Sequence, residues 1–314
     1  MSNYFICTRN IKSKGTNASF GNEPGDATFL VVPDNADEFV PQHRVSNEKN
    51  WLAKLLAGKE VKDLLVYVHG YNMDIPNVVR RHKILKEGLQ RNGWKGELVT
   101  FAWPSATKPL LYLEDRHDAK KVSMELVDRG LRFFAQQVLE GCSINIHILA
   151  HSTGAFIVRE SFCDAQSTAY ARDSWTASQI VLIGGDISSK SMEGPEGDPV
   201  YKHCVRLTNY FNNYDSILGL SSVKRLGLED RVGRVGLPYG SPVKAVDVNC
   251  SEYYKAHEHE LKTDGDAIKA HAWYFWSDVF LKDLVYTLNG DLDRHVIPTR
   301  DYRANEDELY MRIV

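Results

Sequence analysis

The sequence predicts an α/β fold, a mostly parallel, doubly wound sheet flanked by helices. Two observations predict it. Short runs of β-branched and other apolar residues alternate with longer amphipathic stretches, as β-α-β units do. Most of the short runs are continuously apolar, which is how strands covered on both faces read. The expected strands are Ala27–Val32, Leu64–Val68, Leu98–Ala102, Ile144–Leu149, Ile180–Ile183, Val205–Phe211 and Val243–Val248. Between them lie a helix over Pro76–Arg91, capped by Asp74 and left at Gly93, and one over about Asp115–Glu140. The second sets Val122, Leu126, Val127, Leu131, Phe134 and Val138 on one face. Two more helices are expected after Ser152 and His271. Gly and Pro gather in Gly184–Pro199 and Gly219–Pro242, which read as long surface loops of the kind that often form lids.

Composition narrows the class. At 314 residues, 43% hydrophobic and 25% charged, the chain can bury a sizeable core and is neither disordered nor fibrous. Lys plus Arg number 38 against 41 Asp plus Glu, so no strong field draws nucleic acid or an anionic membrane. We expect one domain over residues 1–314 with loop insertions near 103–118, 184–204 and 216–242. Cys7, Cys142, Cys163, Cys204 and Cys250 are odd in number and never form C-x-x-C, which fits reduced, mostly buried thiols. There is no internal repeat, no 18-residue apolar run and no leader-like N-terminus. The expectation is a cytoplasmic protein with no nucleic-acid partner and no stable membrane insertion, its oligomeric state open.

The chemistry concentrates where the strand ending Ile148-Leu149-Ala150 meets His151-Ser152-Thr153-Gly154 and a helix. This is the pattern of a nucleophile elbow, whose sharp turn demands small residues two before and two after the serine. Ala150 and Gly154 fill those places. The plain alternative is a tight turn with Ser152 as helix cap, kept open by Ala150 where glycine is usual. Upstream, the strand Leu64–Val68 ends in His69-Gly70-Tyr71-Asn72. In an α/β hydrolase that loop and the residue after the nucleophile supply the oxyanion-hole amides, so Tyr71 and Thr153 are the candidates. Chain order, serine then acid then histidine, selects His271 among eleven histidines, just ahead of the aromatic run Trp273-Tyr274-Phe275-Trp276. Asp215 and Asp186 both follow strands and both could be the acid. Asp215 is preferred because its strand directly precedes the one before His271. His257-x-His259-Glu260 reads as a solvated loop and not as a metal site.

Phe101-Ala102-Trp103-Pro104-Ser105, then Tyr112 with Asp115 and Ala119, then Ala150-His151-Ser152-x-Gly154 resemble an uncharacterised esterase/lipase-like family of the α/β-hydrolase superfamily. Cys7-Thr8-Arg9-Asn10 is similar to that family's opening, and the resemblance spans about residues 4 to 290. It implies an α/β-hydrolase fold and a triad of Ser152, Asp215 and His271, but no particular substrate. Thr153 stands where such relatives often have Met, and the tail after Gly290 fits no pattern.

The expected activity is hydrolysis of a small-molecule carboxylic ester through an acyl-enzyme, without metal or organic cofactor. The aromatic segment Trp103–Tyr112 and the loop Gly219–Pro242 would shape the pocket and favour an uncharged acyl ester. A non-catalytic binding module on the same fold and an acyltransferase are the alternatives.

Overall fold

The computed structural model describes residues 2–13, 15–57, 63–105, 112–138, 144–172, 175–224 and 229–313. In chain order these form β1 (Ser2–Lys12), β2 (Ser19–Pro33), α1 (Glu48–Leu56), β3 (Asp63–Val68), α2 (Ile75–Arg91) and β4 (Glu97–Ala102). Then come α3 (Tyr112–Glu125), a π-helical segment Leu126–Arg132, α4 (Phe133–Val138), β5 (Asn145–His151), α5 (Thr153–Gln166) and β6 (Ala177–Ile183). The remainder holds α6 (Gly194–Lys202), β7 (Cys204–Phe211), α7 (Ser216–Lys224), α8 (Val232–Val235) and β8 (Ala245–Asn249). It ends with α9 (Ser251–His257), α10 (Lys269–Ala272), the 3-10 turn Trp273–Trp276, α11 (Asp278–Asn289), β9 (Arg300–Arg303) and β10 (Glu308–Met311).

The ten strands make one sheet in the order β2-β1-β4-β3-β5-β6-β7-β8-β10-β9. Only the terminal pairs, β1 with β2 and β9 with β10, run antiparallel. Alternate residues of each inner strand face opposite layers: Leu64, Val66 and Val68 join one apolar cluster with α1, α3 and α5, while Leu65 and Tyr67 join another with α2 and α11. Both faces are therefore covered, which is why these strands are apolar throughout. Asp74 accepts from the Asn77 amide at 2.9 Å and starts α2, and Gly93 at φ 88° follows its end.

Several expectations change. The strand expected at Ala27–Val32 is the buried half of a 15-residue β2. Its partner β1 was not anticipated because it buries Asn3, Thr8 and Arg9 among its apolar residues. The tail after Gly290 is not patternless, since β9 and β10 extend the sheet. The helix expected over Asp115–Glu140 carries the π segment, and Val138 has no described side chain. The strand at Val243–Val248 starts only at Ala245, leaving Val243 90% exposed.

Among the described residues, which leave out 225–228, neither Gly/Pro-rich stretch is a free surface loop. Val232 N donates to Ile187 O and Gly233 N to Gly185 O, both at 3.0 Å, so the two stretches are stitched together. A Cβ on Gly233 would lie 2.2 Å from the Gly184 backbone, and glycine is there for close approach, not for a turn. Cys7, Cys204 and Cys250 are buried, unpaired thiols, Cys163 is half-buried, and Cys142 lies outside the described residues. Burial pushes the Cys7 thiol up to about 12. Among the described residues no helix is long and apolar enough to cross a membrane.

Candidate active site

The chain leaves β3 outward to β4 and returns to β5 on the other side of β3. That reversal opens a crevice at the carboxyl ends of β3 and β5, the place where open α/β sheets bind ligands. Ser152 stands there, between the last residue of β5 and the first of α5, at φ 56° and ψ −125°. A non-glycine residue rarely holds such a conformation, at a cost of about 1–3 kcal/mol. Three main-chain bonds offset it: Ser152 N to Ile183 O at 3.1 Å, Ala155 N to Ser152 O at 3.0 Å and Asp186 N to Ser152 O at 3.0 Å.

The glycines of the turn are sterically required. A Cβ on Gly154 would sit 2.3 Å from Val68 O, and one on Gly70 would sit 2.8 Å from the Ser152 Cβ. Ala150 is fully buried between Val68 and Leu182. Both requirements come from a neighbouring segment, Val68 for Gly154 and Ser152 for Gly70, and only the one at Gly154 is marked by the elbow pattern.

His271, in α10, brings Nδ1 to 2.6 Å from Asp215 Oδ2. Asp215 is fully buried, and its Oδ1 accepts from the Leu218 amide at 3.1 Å in the first turn of α7. Asn212 ties the two segments by donating to Ala270 O at 2.9 Å. Burial pulls the His271 pKa down, but the charge and hydrogen bond of Asp215 outweigh it and leave the imidazole above its ordinary value. With Nδ1–H given to Asp215, Nε2 is the acceptor. Asp186 is buried in the same place, but its carboxylate faces Arg231 Nε at 3.4 Å and its amide holds Ser152 O. Of the two acids considered, Asp215 is the one that meets the imidazole.

Ser152, Thr153, His271, Asp186 and Tyr71 all line one cavity of about 420 Å³. Its apolar side is built from Met73, Ile217, Leu218, Leu220, Ile268 and Ala272. Thr153 is the first residue of α5, where amides have no intrahelical partner. Trp103 was expected to shape this pocket. It is instead fully buried beneath the loop after β3, stacked on His69 at 5.4 Å and donating Nε1–H to His69 O at 2.8 Å. Ser105 Oγ accepts from Met73 N at 3.0 Å, and Arg9 donates to Met73 O at 2.9 Å. The Trp-Pro-Ser and Cys-Thr-Arg segments thus brace the loop that carries Tyr71. Residues 106–111 lie outside the described residues.

Sequence reasoning passed over His151. Burial first, then the charges of His271 and Arg81, hold its pKa well below normal, so the ring is neutral. Its Nε2–H donates to His271 O at 3.0 Å and its ring lies 4.8 Å from that of His271. The residue before Ser152, the candidate nucleophile, therefore holds the backbone of the candidate base. Its position beside Ser152 was visible, but its partner 120 residues away was not.

No curated protein matches the chain. Solved structures do. TT1662 from Thermus thermophilus is 12% identical over 90% of this chain and 98% of its own, with a TM-score of 0.42. A cutinase-like protein from Cryptococcus sp. is 12% identical over 73% and 93%, at 0.37. Dienelactone hydrolase from Anabaena variabilis is 12% identical over 77% and 86%, at 0.34. A family model described as an alpha/beta hydrolase of unknown function (DUF900) matches residues 44–245, and the chain belongs to that family.

Proposed function

We propose that the protein is a serine hydrolase that cleaves a small-molecule carboxylic ester. The observation that carries this reading is one cavity holding both Ser152, on its strained turn, and His271, paired with buried Asp215. Ser152 Oγ attacks the ester carbonyl while His271 Nε2 accepts its proton. The tetrahedral intermediate collapses, the ester C–O bond breaks, and His271 returns the proton to the departing alcohol. Water then attacks the acyl-serine by the same relay and releases the acid. Asp215 orients the imidazole and stabilises its charged form. The amides of Tyr71 and Thr153 would receive the oxyanion, where one such donor is worth about 3–4 kcal/mol. No cofactor enters these steps.

The test is intact-mass analysis after treatment with a fluorophosphonate, on wild type and on Ser152→Ala. A single adduct on wild type that is absent from the variant is expected. No adduct on well-folded wild type would remove the nucleophile and favour a non-catalytic binding module.

A further inference from the structure

Arg81, on α2, is only 3% exposed and yet lines the cavity beside Ser152 and His271. Its guanidinium stands over the rings of Phe275 and Trp276, 4.1 and 4.7 Å from their centroids, in the turn that follows His271. A buried guanidinium is unfavourable unless paired. Asp264 pairs with it and lines the cavity too, but the same carboxylate also pairs with Arg80. Two guanidiniums share one carboxylate, so Asp264 is not given to Arg81 alone. Asp186, the other carboxylate lining the cavity, is matched by Arg231. Ile217, Leu218, Leu220 and Ile268 line the same cavity.

We infer that Arg81 is a specificity-determining residue that recognises a carboxylate carried by the ester. The planar fork of a guanidinium suits a carboxylate, and the apolar residues of the same cavity accommodate the rest of the molecule. The inference rests on the ester-hydrolase reading for the ester and on Arg81 for the carboxylate, and it adds a charge to the uncharged ester that the sequence favours. Arg81 also bears electrostatically on both His151 and His271, which places it within range of the reacting centre. The competing explanation is a fastener, in which the Arg81–Asp264 pair only ties the segment before α10 to α2.

Binding is measured by calorimetry on Ser152→Ala, so that it does not depend on turnover. Three probes are compared: the 4-nitrophenyl monoester of glutarate, with a carboxylate on the acyl side, 4-(valeryloxy)benzoate, with one on the leaving group, and neutral 4-nitrophenyl valerate. At least one charged ester is expected to bind about tenfold more tightly than the neutral one. Whichever is preferred identifies the side that Arg81 reads. Arg81→Met in the same background abolishes the preference, and Arg81→Lys retains part of it. Asp264→Asn, on an exposed residue that keeps its shape, widens the preference for the charged ester over the neutral one, and it decides the matter if Arg81→Met does not fold. Equal binding of all three esters, no binding of either charged ester, or a preference that survives Arg81→Met overturns the inference. So does a proportional loss of all three in Asp264→Asn, which marks a fastener. Preferential binding without turnover by wild type removes ester hydrolysis and leaves carboxylate recognition standing, whereas turnover of all three at equal kcat/KM does the reverse.

Discussion

The 2.6 Å contact between His271 and Asp215 sets the protonation of the site. Replacing Asp215 with Asn keeps the shape but reverses the hydrogen-bond demand on Nδ1, and kcat/KM for a 4-nitrophenyl ester is expected to fall about 10³- to 10⁴-fold with the circular dichroism unchanged. The proposed mechanism needs His271 neutral, and Asp215 holds its pKa above the ordinary 6.5 despite burial. The acid limb of the pH–rate profile should therefore lie above pH 6.5 in wild type and move down in any residual activity of Asp215→Asn. A wild-type limb below 6.5 would contradict the pairing. The sign for stability follows from the same shift: the folded state binds this proton more tightly than the unfolded chain. Its stabilisation is full below about pH 6.5 and is lost as pH rises through the folded-state pKa.

Strands and loops position these residues through contacts that cross elements. The loop after β3 holds its course because β4 and β1 send Trp103, Ser105 and Arg9 beneath it. Trp103→Phe preserves the ring stacked on His69 but leaves His69 O without that donor in a buried place. Its expected cost is about 1–3 kcal/mol in urea unfolding. Because Tyr71 follows two residues after His69, kcat should also fall roughly tenfold with little change in KM. Loss of stability with kcat intact would show that the brace holds the fold alone. A buried His69, its pKa pushed down to about 3, adds no charge to this support.

At the scale of the whole molecule, a buried ion pair helps to tie the C-terminal hairpin to the rest of the fold. Arg300 and Asp283 are both fully buried and meet at 2.7 Å, with Tyr210, Thr287 and Thr299 adding hydrogen bonds and Arg300 Nη1 making none. These residues join β7, α11 and β9, so the network binds the last strands to the layer beneath them. Asp283→Ala strands the Arg300 charge and is expected to cost about 3–5 kcal/mol. The double change Asp283→Leu with Arg300→Met removes both charges and should cost less than Asp283→Ala alone. Denaturant midpoints of the two variants check the order, and a single variant within about 1 kcal/mol of wild type would show that hydration reaches the site.

The sequence by itself determined the layered α/β plan and marked the tight strand-to-helix turn at Ser152. Both leave a local mark: continuous apolar runs follow from burial on two faces, and the small-x-Ser-x-small pattern is readable in sequence even though the crowding at Gly154 comes from Val68 on the neighbouring strand. Chain order also sufficed to put Ser152, Asp215 and His271 forward as neighbours, since each follows a strand at the same sheet edge. Tertiary structure decided what lies across the sheet. Asp215 rather than Asp186 reaches His271, because Arg231 engages the latter. His151 meets His271 across 120 residues, and Arg81 meets Asp264 across 183. β1 and the β9–β10 hairpin escaped notice because paired polar and charged side chains are buried there, and such pairs look like surface until the partner is known. A local pattern records which face is buried; only the folded chain supplies the partner that makes a buried charge tolerable.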